Sequence, residues 1–239
     1  MKRYTDIFID FDDTLYDTRY NANVALEELF VHFHLDYYFD KFEDFQIPYW
    51  KTNCELWDLY SQGSITRNFL IVERFRRPLN LGKDAVGKPF DASEKQCLDC
   101  NDYFLKQCSS KGKVIDGAYE ILEYLKKKNY KLHLCSNGFH EVQYRKLDSS
   151  HLTHYFDTVI LSEDAGANKP SKVFFDYALR MSRADAETTI MIGDNLKTDI
   201  AGAVNAGIDT VFFNRQVQHG VPKTFTYEIH SLEEIQLIL

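Results

Sequence analysis

The segment of this chain best suited to chemistry is Asp10-Phe11-Asp12-Asp13-Thr14. Ile7, Phe8 and Ile9 lead into it, so it reads as a buried strand that ends in carboxylates. Strand side chains alternate between faces, which predicts that Asp10 and Asp12 point the same way. Two carboxylates at the end of a buried strand repel each other unless a cation lies between them or one holds a proton. Such a pair stabilises a fold poorly and suits a reactive site. Taken alone, the segment has an ordinary alternative, in which Asp13-Thr14 caps a turn and the acids are solvated.

Three later segments bear on that choice. Leu134-Cys135-Ser136-Asn137-Gly138 ends an apolar run in a small hydroxyl. Ser136 and the backbone N–H groups of Asn137 and Gly138 suit phosphoryl oxygens, though the same residues make an ordinary turn. Lys169, in Asn168-Lys169-Pro170-Ser171, belongs to a loop and suits neutralising Asp10 together with a phosphate. Ile190-Met191-Ile192-Gly193-Asp194-Asn195 repeats the first design, an apolar strand ending in a carboxylate. Gly193 lets the backbone come close, and Asp194 is placed to face Asp10 and hold a divalent cation through oxygen. Asp199 suits either support of that site or the capping of a helix.

These segments need elements to carry them. Strands are predicted at Tyr4–Asp10, Lys131–Ser136, Thr158–Leu161, Thr189–Asp194 and Thr210–Asn214, with a weaker one near Thr226–Ile229. Helices are predicted between them at Gly117–Asn129, Ser171–Met181 and Asp199–Ala206, the last stopped by Gly207. The alternation implies an α/β fold, a doubly wound, mostly parallel sheet covered on both faces. Ligands of such sheets sit at the carboxyl ends of strands, near a switch in strand order. Residues 16–110 lack this alternation and read as helices, with apolar faces at Ala22, Ala25, Leu26, Leu29 and Phe33, at Leu56, Leu59 and Tyr60, and at Phe69, Leu70 and Phe75. The predicted domains are a core of residues 1–15 and 111–239 and an inserted all-helical domain of residues 16–110.

Composition narrows the partners. The 239 residues are 44% hydrophobic, with 18 Phe and 15 Tyr, enough for a core without staples. No run of about 18 apolar residues suggests a membrane span, and Met1-Lys2-Arg3 is basic but Asp6 follows too soon for a signal peptide. The expectation is a soluble, cytoplasmic protein, a monomer or homodimer. A net charge of -8 argues against a nucleic acid polymer or an anionic membrane as partner, but not against a phosphorylated small molecule beside a bound cation. Five cysteines at irregular spacing argue against a disulfide framework. Cys97 and Cys100 fall on a predicted helix with a Ser93–Gln96 capping box and read as buried thiols.

The four segments together, DxDxT at Asp10, Asp12 and Thr14, then Ser136, then Lys169 before Pro170, then GDxxxxD at Gly193, Asp194 and Asp199, resemble the haloacid dehalogenase superfamily of hydrolases. The resemblance spans the chain, because the helical insert is similar to the family's cap and the rest to its Rossmann-like core. It implies that Asp10 is a nucleophile forming an aspartyl-phosphate. Mg2+ is then held by Asp10, the Asp12 backbone carbonyl and Asp194, with Asp199 and Asn195 supporting from behind. Asp12 is the acid and base, Thr14 and Lys169 complete the catalytic set, and Ser136, Asn137 and Lys169 bind phosphate. The family's dehalogenases lack an acid at the position of Asp12, so phosphate chemistry is favoured. A β-phosphoglucomutase-like phosphomutase uses the same residues, and a non-catalytic phosphate-binding relative is the reading from another class.

In the insert, Asn53, Leu56, Trp57, Tyr60, Gly63, Ile65, Thr66, Leu70 and Arg74-Phe75 resemble a subfamily of pyrimidine 5'-nucleotidases. The implied substrate is a nucleoside 5'-monophosphate, pyrimidine preferred, with sugar phosphates and phosphoglycolate as alternatives. Tyr16, Asn21 and Arg67 are tentative substrate contacts from the cap side.

Overall fold

A computed structural model of the chain describes residues 4–220 and 222–239; Val221 and the basic start, Met1 to Arg3, lie outside them. The elements begin with strand β1 (Asp6–Ile9), then helices α1 (Thr18–His32), α2 (Phe42–Ser61), α3 (Arg67–Leu79) and α4 (Glu94–Ser109). Next come α5 (Ala118–Lys127), β2 (Lys131–Ser136), α6 (His140–Ser149), β3 (Thr158–Leu161), α7 (Ser162–Ala165) and α8 (Lys172–Ser182). The chain closes with β4 (Thr189–Gly193), α9 (Ala201–Asn205), β5 (Asp209–Phe213) and β6 (Tyr227–Ile229).

Among the described residues the strands form one six-stranded parallel sheet, in the order β3-β2-β1-β4-β5-β6. Their residues alternate between two apolar layers. Ile7, Ile9, Leu132, Leu134, Ile190 and Ile192 join one core cluster, while Phe8, Cys135 and Met191 join the other. The sheet is therefore covered on both faces, which is why its strands read as unbroken apolar runs. The order also sets the site. From β1 the chain builds outward to β2 and β3, then returns to lay β4 against the other edge of β1. That reversal makes the crevice at the carboxyl ends of β1 and β4 the switch point.

The chain divides into two compact units, Met1–Thr18 with Gly112–Leu239, and Arg19–Lys111. The first holds the sheet. The second is helical, with Ala25, Leu26 and Leu29 of α1, Phe45 and Tyr49 of α2, Phe75 of α3 and Phe104 of α4 in one apolar cluster. Leu56 and Leu70 are buried as expected, whereas Leu59 and Phe69, expected on the same faces, are exposed, and Val72 is buried in addition. Helix α4 starts with the expected capping box of Ser93 and Gln96, worth about 1 kcal/mol. Cys97, Cys100 and Cys108 are buried on it as thiols, and burial pushes Cys100 up to about 12. Among the described residues, no helix is long and apolar enough to cross a membrane.

Candidate active site

Strand β1 stops at Ile9, earlier than the sequence suggests. The reason is the Phe11 carbonyl, which accepts the N–H groups of both Leu15 (3.0 Å) and Tyr16 (2.9 Å) and folds the DxDxT segment into a turn. Asp13 takes a positive φ of 60° inside it. Beyond Ile9 the segment is a turn and not a strand, and Asp10 and Asp12 each pair with a lysine of their own.

Asp10 remains tied to the sheet, its N–H donating to Ile192 at 2.9 Å. One carboxylate oxygen lies 2.5 Å from Lys169 Nζ, and the same ammonium reaches Asp199 at 2.8 Å and the Cys135 carbonyl at 2.7 Å. Lysine has three N–H donors, so all of them are committed. Lys169 is 2% exposed, and although burial works against its charge, Asp10 and Asp199 outweigh it and hold the ammonium well above the usual lysine range. The loop that carries Lys169 is fixed by Asn137, whose side-chain amide accepts the Lys169 N–H (2.8 Å) and donates to the Lys169 carbonyl (3.0 Å).

Asp10, Asp194 and Asp199 place carboxylate oxygens within 4.8 Å of one another. Thr14, fully buried, donates to Asp194 at 3.5 Å. Burial pushes Asp10 up to about 7; Lys169 pulls the other way, and Asp199 and Asp12 add to the rise. Burial, then Asp10 and Asp199, also raise Asp194 well above the usual carboxylate range. Three carboxylates around one ammonium leave an excess of negative charge, and every free donor is a hard oxygen. That set fits a small divalent cation.

Asp199 sits on a wide, π-type turn (Leu196–Ile200) where the sequence predicts regular helix. It is buried, paired to Lys169, and caps nothing beyond a 3.2 Å bond from the Asn195 N–H. Asn195 does the capping, its side chain accepting from Lys197 and Thr198. Gly193 is required here, since a Cβ on it would run into the Asp199 carboxyl group.

Asp12 is held elsewhere. Its Oδ1 accepts from Lys146 Nζ and from Thr18 Oγ1, both at 2.5 Å, and its Oδ2 from Gln143 Nε2 at 2.6 Å. Desolvation opposes the charged form, but Lys146 and the three hydrogen bonds outweigh it and hold the carboxyl below its ordinary range. Ser136 Oγ accepts from Gln143 (2.5 Å) and from the Gly138 N–H (3.0 Å), so its own proton is left to donate. The Gly138 N–H, expected to face phosphate, is therefore already used.

Sequence reasoning missed Gln143 and Lys146. They lie three apart on one face of α6, one turn beyond the Ser136 loop. Of the tentative contacts, Tyr16 belongs to the sheet unit and is fully buried, tilted against Phe11 at 5.4 Å and carrying Lys146 Nζ 5.2 Å from its ring; it is not a cap-side residue. Asn21 is fully buried on α1 and Arg67 partly exposed at the start of α3. Within the helical unit, a cavity of about 540 Å3 is lined by Arg19, Asn23, Gln46, Ile47, Trp50, Lys51 and Cys54, and by none of the three tentative residues. There the Arg19 guanidinium stacks 3.8 Å over Trp50, and Asn23 Oδ1 accepts from Trp50 (2.7 Å) and Gln46 (2.8 Å).

The haloacid dehalogenase-like hydrolase family model matches residues 7–207. The chain belongs to this family. Among its haloacid dehalogenase-like relatives, the HAD-hydrolase YfnB of Bacillus subtilis (strain 168) is 33% identical over 242 residues, covering 100% of this chain and 97% of that one. The pyrimidine 5'-nucleotidase YjjG of Escherichia coli (strain K12) is 30% identical over 234 residues, covering 96% of each. A crystal structure of YfnB bound to magnesium superposes with a TM-score of 0.86 at 31% identity, covering 100% of this chain and 99% of that one. That YfnB structure reveals interdomain movement.

Proposed function

We propose that the chain is a Mg2+-dependent phosphatase that hydrolyses a small phosphate monoester, a nucleoside 5'-monophosphate with pyrimidine preferred, through an aspartyl-phosphate on Asp10. The observation that carries this is the division of labour between two acids. Asp10 lies with Lys169, Asp194 and Asp199, while Asp12 is gripped separately by Lys146, Thr18 and Gln143. One carboxylate is set against an ammonium and beside two acids suited to a divalent cation, as a nucleophile for an anion requires. The other is free of that cluster, as a proton carrier requires.

Asp10, Asp194 and the Asp12 backbone carbonyl would hold Mg2+, with Asp199 and Asn195 behind them. Bound there, the ion supplies charge neutralisation between the Asp10 carboxylate and the phosphoryl oxygens. An Asp10 oxygen bonds to phosphorus as the ester P–O bond breaks, and the leaving oxygen takes the bond's electron pair and a proton from Asp12. Asp12 then accepts a proton from water, whose oxygen bonds to phosphorus while the Asp10–phosphorus link breaks and its electron pair returns to Asp10. Ser136 donates its remaining proton to a phosphoryl oxygen. Lys169 offsets negative charge on Asp10 and on the transferring group. Thr14 steadies Asp194.

The nucleotide reading draws on the activity of the Escherichia coli relative and on the cavity of the helical unit, whose indole, guanidinium and paired amides suit a planar base. It is tested by phosphate release with Mg2+ across nucleoside monophosphates and sugar phosphates, with EDTA and Asp10→Asn controls. Preference for pyrimidine monophosphates is the expected result. Preference for sugar phosphates would keep the chemistry and discard the nucleotide.

A further inference from the structure

The grip on Asp12 is more specific than a solvated acid needs. Oδ1 takes two donors, Lys146 Nζ and Thr18 Oγ1, and Oδ2 takes one, Gln143 Nε2. A carboxylate oxygen has two lone-pair directions, so Oδ2 keeps one acceptor position for a transferable proton. Lys146 is itself nearly buried at 7% exposure, with its ammonium over the Tyr16 ring. Gln143 ties the same carboxylate to Ser136 through a second donated bond of 2.5 Å. The space for that amide exists because residue 138 is glycine; a Cβ there would overlap the Gln143 side chain.

We propose that Lys146 is a positioning residue for proton transfer: with Thr18 and Gln143 it fixes the Asp12 carboxylate so that Oδ2 carries the proton in both half-reactions. This rests on the reading of Asp12 as the acid and base. Lys146 pairs with Asp12, as Lys169 pairs with Asp10. Its ammonium offsets the charge left on Asp12 once the proton has gone to the leaving oxygen, beside a phosphoryl group that is itself anionic. Without it, Oδ1 keeps only Thr18 and Oδ2 only Gln143, so the carboxylate is held by two donors where it had three.

The test separates proton transfer from folding by the choice of leaving group. Nitrophenolate departs without a proton; a nucleoside or other alkyl alcohol needs one. Wild type, Lys146→Met, Lys146→Arg, Thr18→Val and Asp12→Asn are compared with Mg2+ on p-nitrophenyl phosphate and uridine 5'-monophosphate, or on an alkyl phosphate if the nucleotide is not turned over. Lys146→Met is expected to lower kcat for the alkyl ester about 10- to 100-fold with KM little changed. On the aryl ester it should keep a pre-steady-state burst of nitrophenolate as large as wild type, followed by slower steady turnover. Thr18→Val should show the same pattern at smaller size, and Lys146→Arg should recover part of the alkyl rate. Parallel loss of the aryl burst and alkyl turnover in folded Lys146→Met would overturn the proposal, as would undiminished alkyl turnover. If Lys146→Met does not fold, an unchanged alkyl rate in Thr18→Val overturns it. Full alkyl turnover in Asp12→Asn would instead show that the acid–base reading is wrong.

Discussion

Asn137 and Lys169 hold each other as a peptide pair would: the Asn137 amide accepts the Lys169 N–H at 2.8 Å and donates to the Lys169 carbonyl at 3.0 Å. Two loops, one after β2 and one before α8, are thereby locked with the lysine side chain aimed at Asp10. Asn137→Ala removes both bonds. It should cost about 1–3 kcal/mol of stability, and a lysine displaced by about 1 Å should lower kcat by up to about 100-fold. Thermal melting and steady-state kinetics on the same variant check both effects. Unchanged turnover would mean that Lys169 is placed by other contacts.

The raised carboxyls make stability depend on pH with an unusual sign. Asp10 ionises near 3.8 when unfolded and about 7 when folded, and Asp194 shifts in the same direction. Between those values the folded chain holds more protons than the unfolded one, so stability falls as pH rises from about 4 to about 7. A divalent cation should offset this loss most where the carboxyls are ionised. In melting experiments with Mg2+ against EDTA, the gain in Tm should be larger at pH 8 than at pH 5. Saturation at a hundred times Kd is worth about 2.7 kcal/mol. An equal gain at both values would place the cation away from these acids.

Trp50 gives a test of the cap cavity. Its ring lies under Arg19 and its N–H is held by Asn23. If a base stacks there, Trp50→Ala should raise KM for the preferred nucleotide by about 5- to 100-fold, the size expected for a lost stacking contact of about 1–3 kcal/mol. Hydrolysis of p-nitrophenyl phosphate should change less than about twofold. Equal effects on both substrates would assign Trp50 to packing alone.

Two glycines offer a paired comparison. Gly193→Ala drives a Cβ into the Asp199 carboxyl and should cost about 1–3 kcal/mol while also lowering activity, because Asp199 shares Lys169 with Asp10. Gly207→Ala meets no atom within 4 Å and suffers only its φ of 76°, a cost of about 1–2 kcal/mol. Its kcat should stay at the wild-type value. Melting curves and kcat measured side by side distinguish loss of fold from loss of geometry.

The sheet was legible because buried parallel strands leave apolar runs, and because carboxylates or a serine end three of them. Asp10, Ser136, Lys169 and Asp194 stood out as polar groups where such runs stop. Gln143 and Lys146 did not. A glutamine and a lysine on a helix of mixed polarity look like a solvated face, and nothing local shows that Asp12 will turn toward them. Tyr16 misled for a related reason: an aromatic next to a reactive loop suits a ligand, yet here the turn at Phe11 folds it inward beneath Lys146. The π-type turn at Asp199 was hidden as well, because the local pattern reads as regular helix and the partner of Asp199, Lys169, lies thirty residues earlier on another loop.

The order of the strands has a consequence for how the enzyme is made. Asp10 leaves the ribosome early, but the ammonium that neutralises it follows 159 residues later, and the strand carrying Asp194 later still. The whole helical insert is synthesised in between. A nascent chain therefore holds Asp10 without its counter-charge until Lys169 has been made, and without Asp194 beside it until β4 docks against β1. Reactivity should switch on at once when that strand is in place, and incomplete chains should be chemically silent.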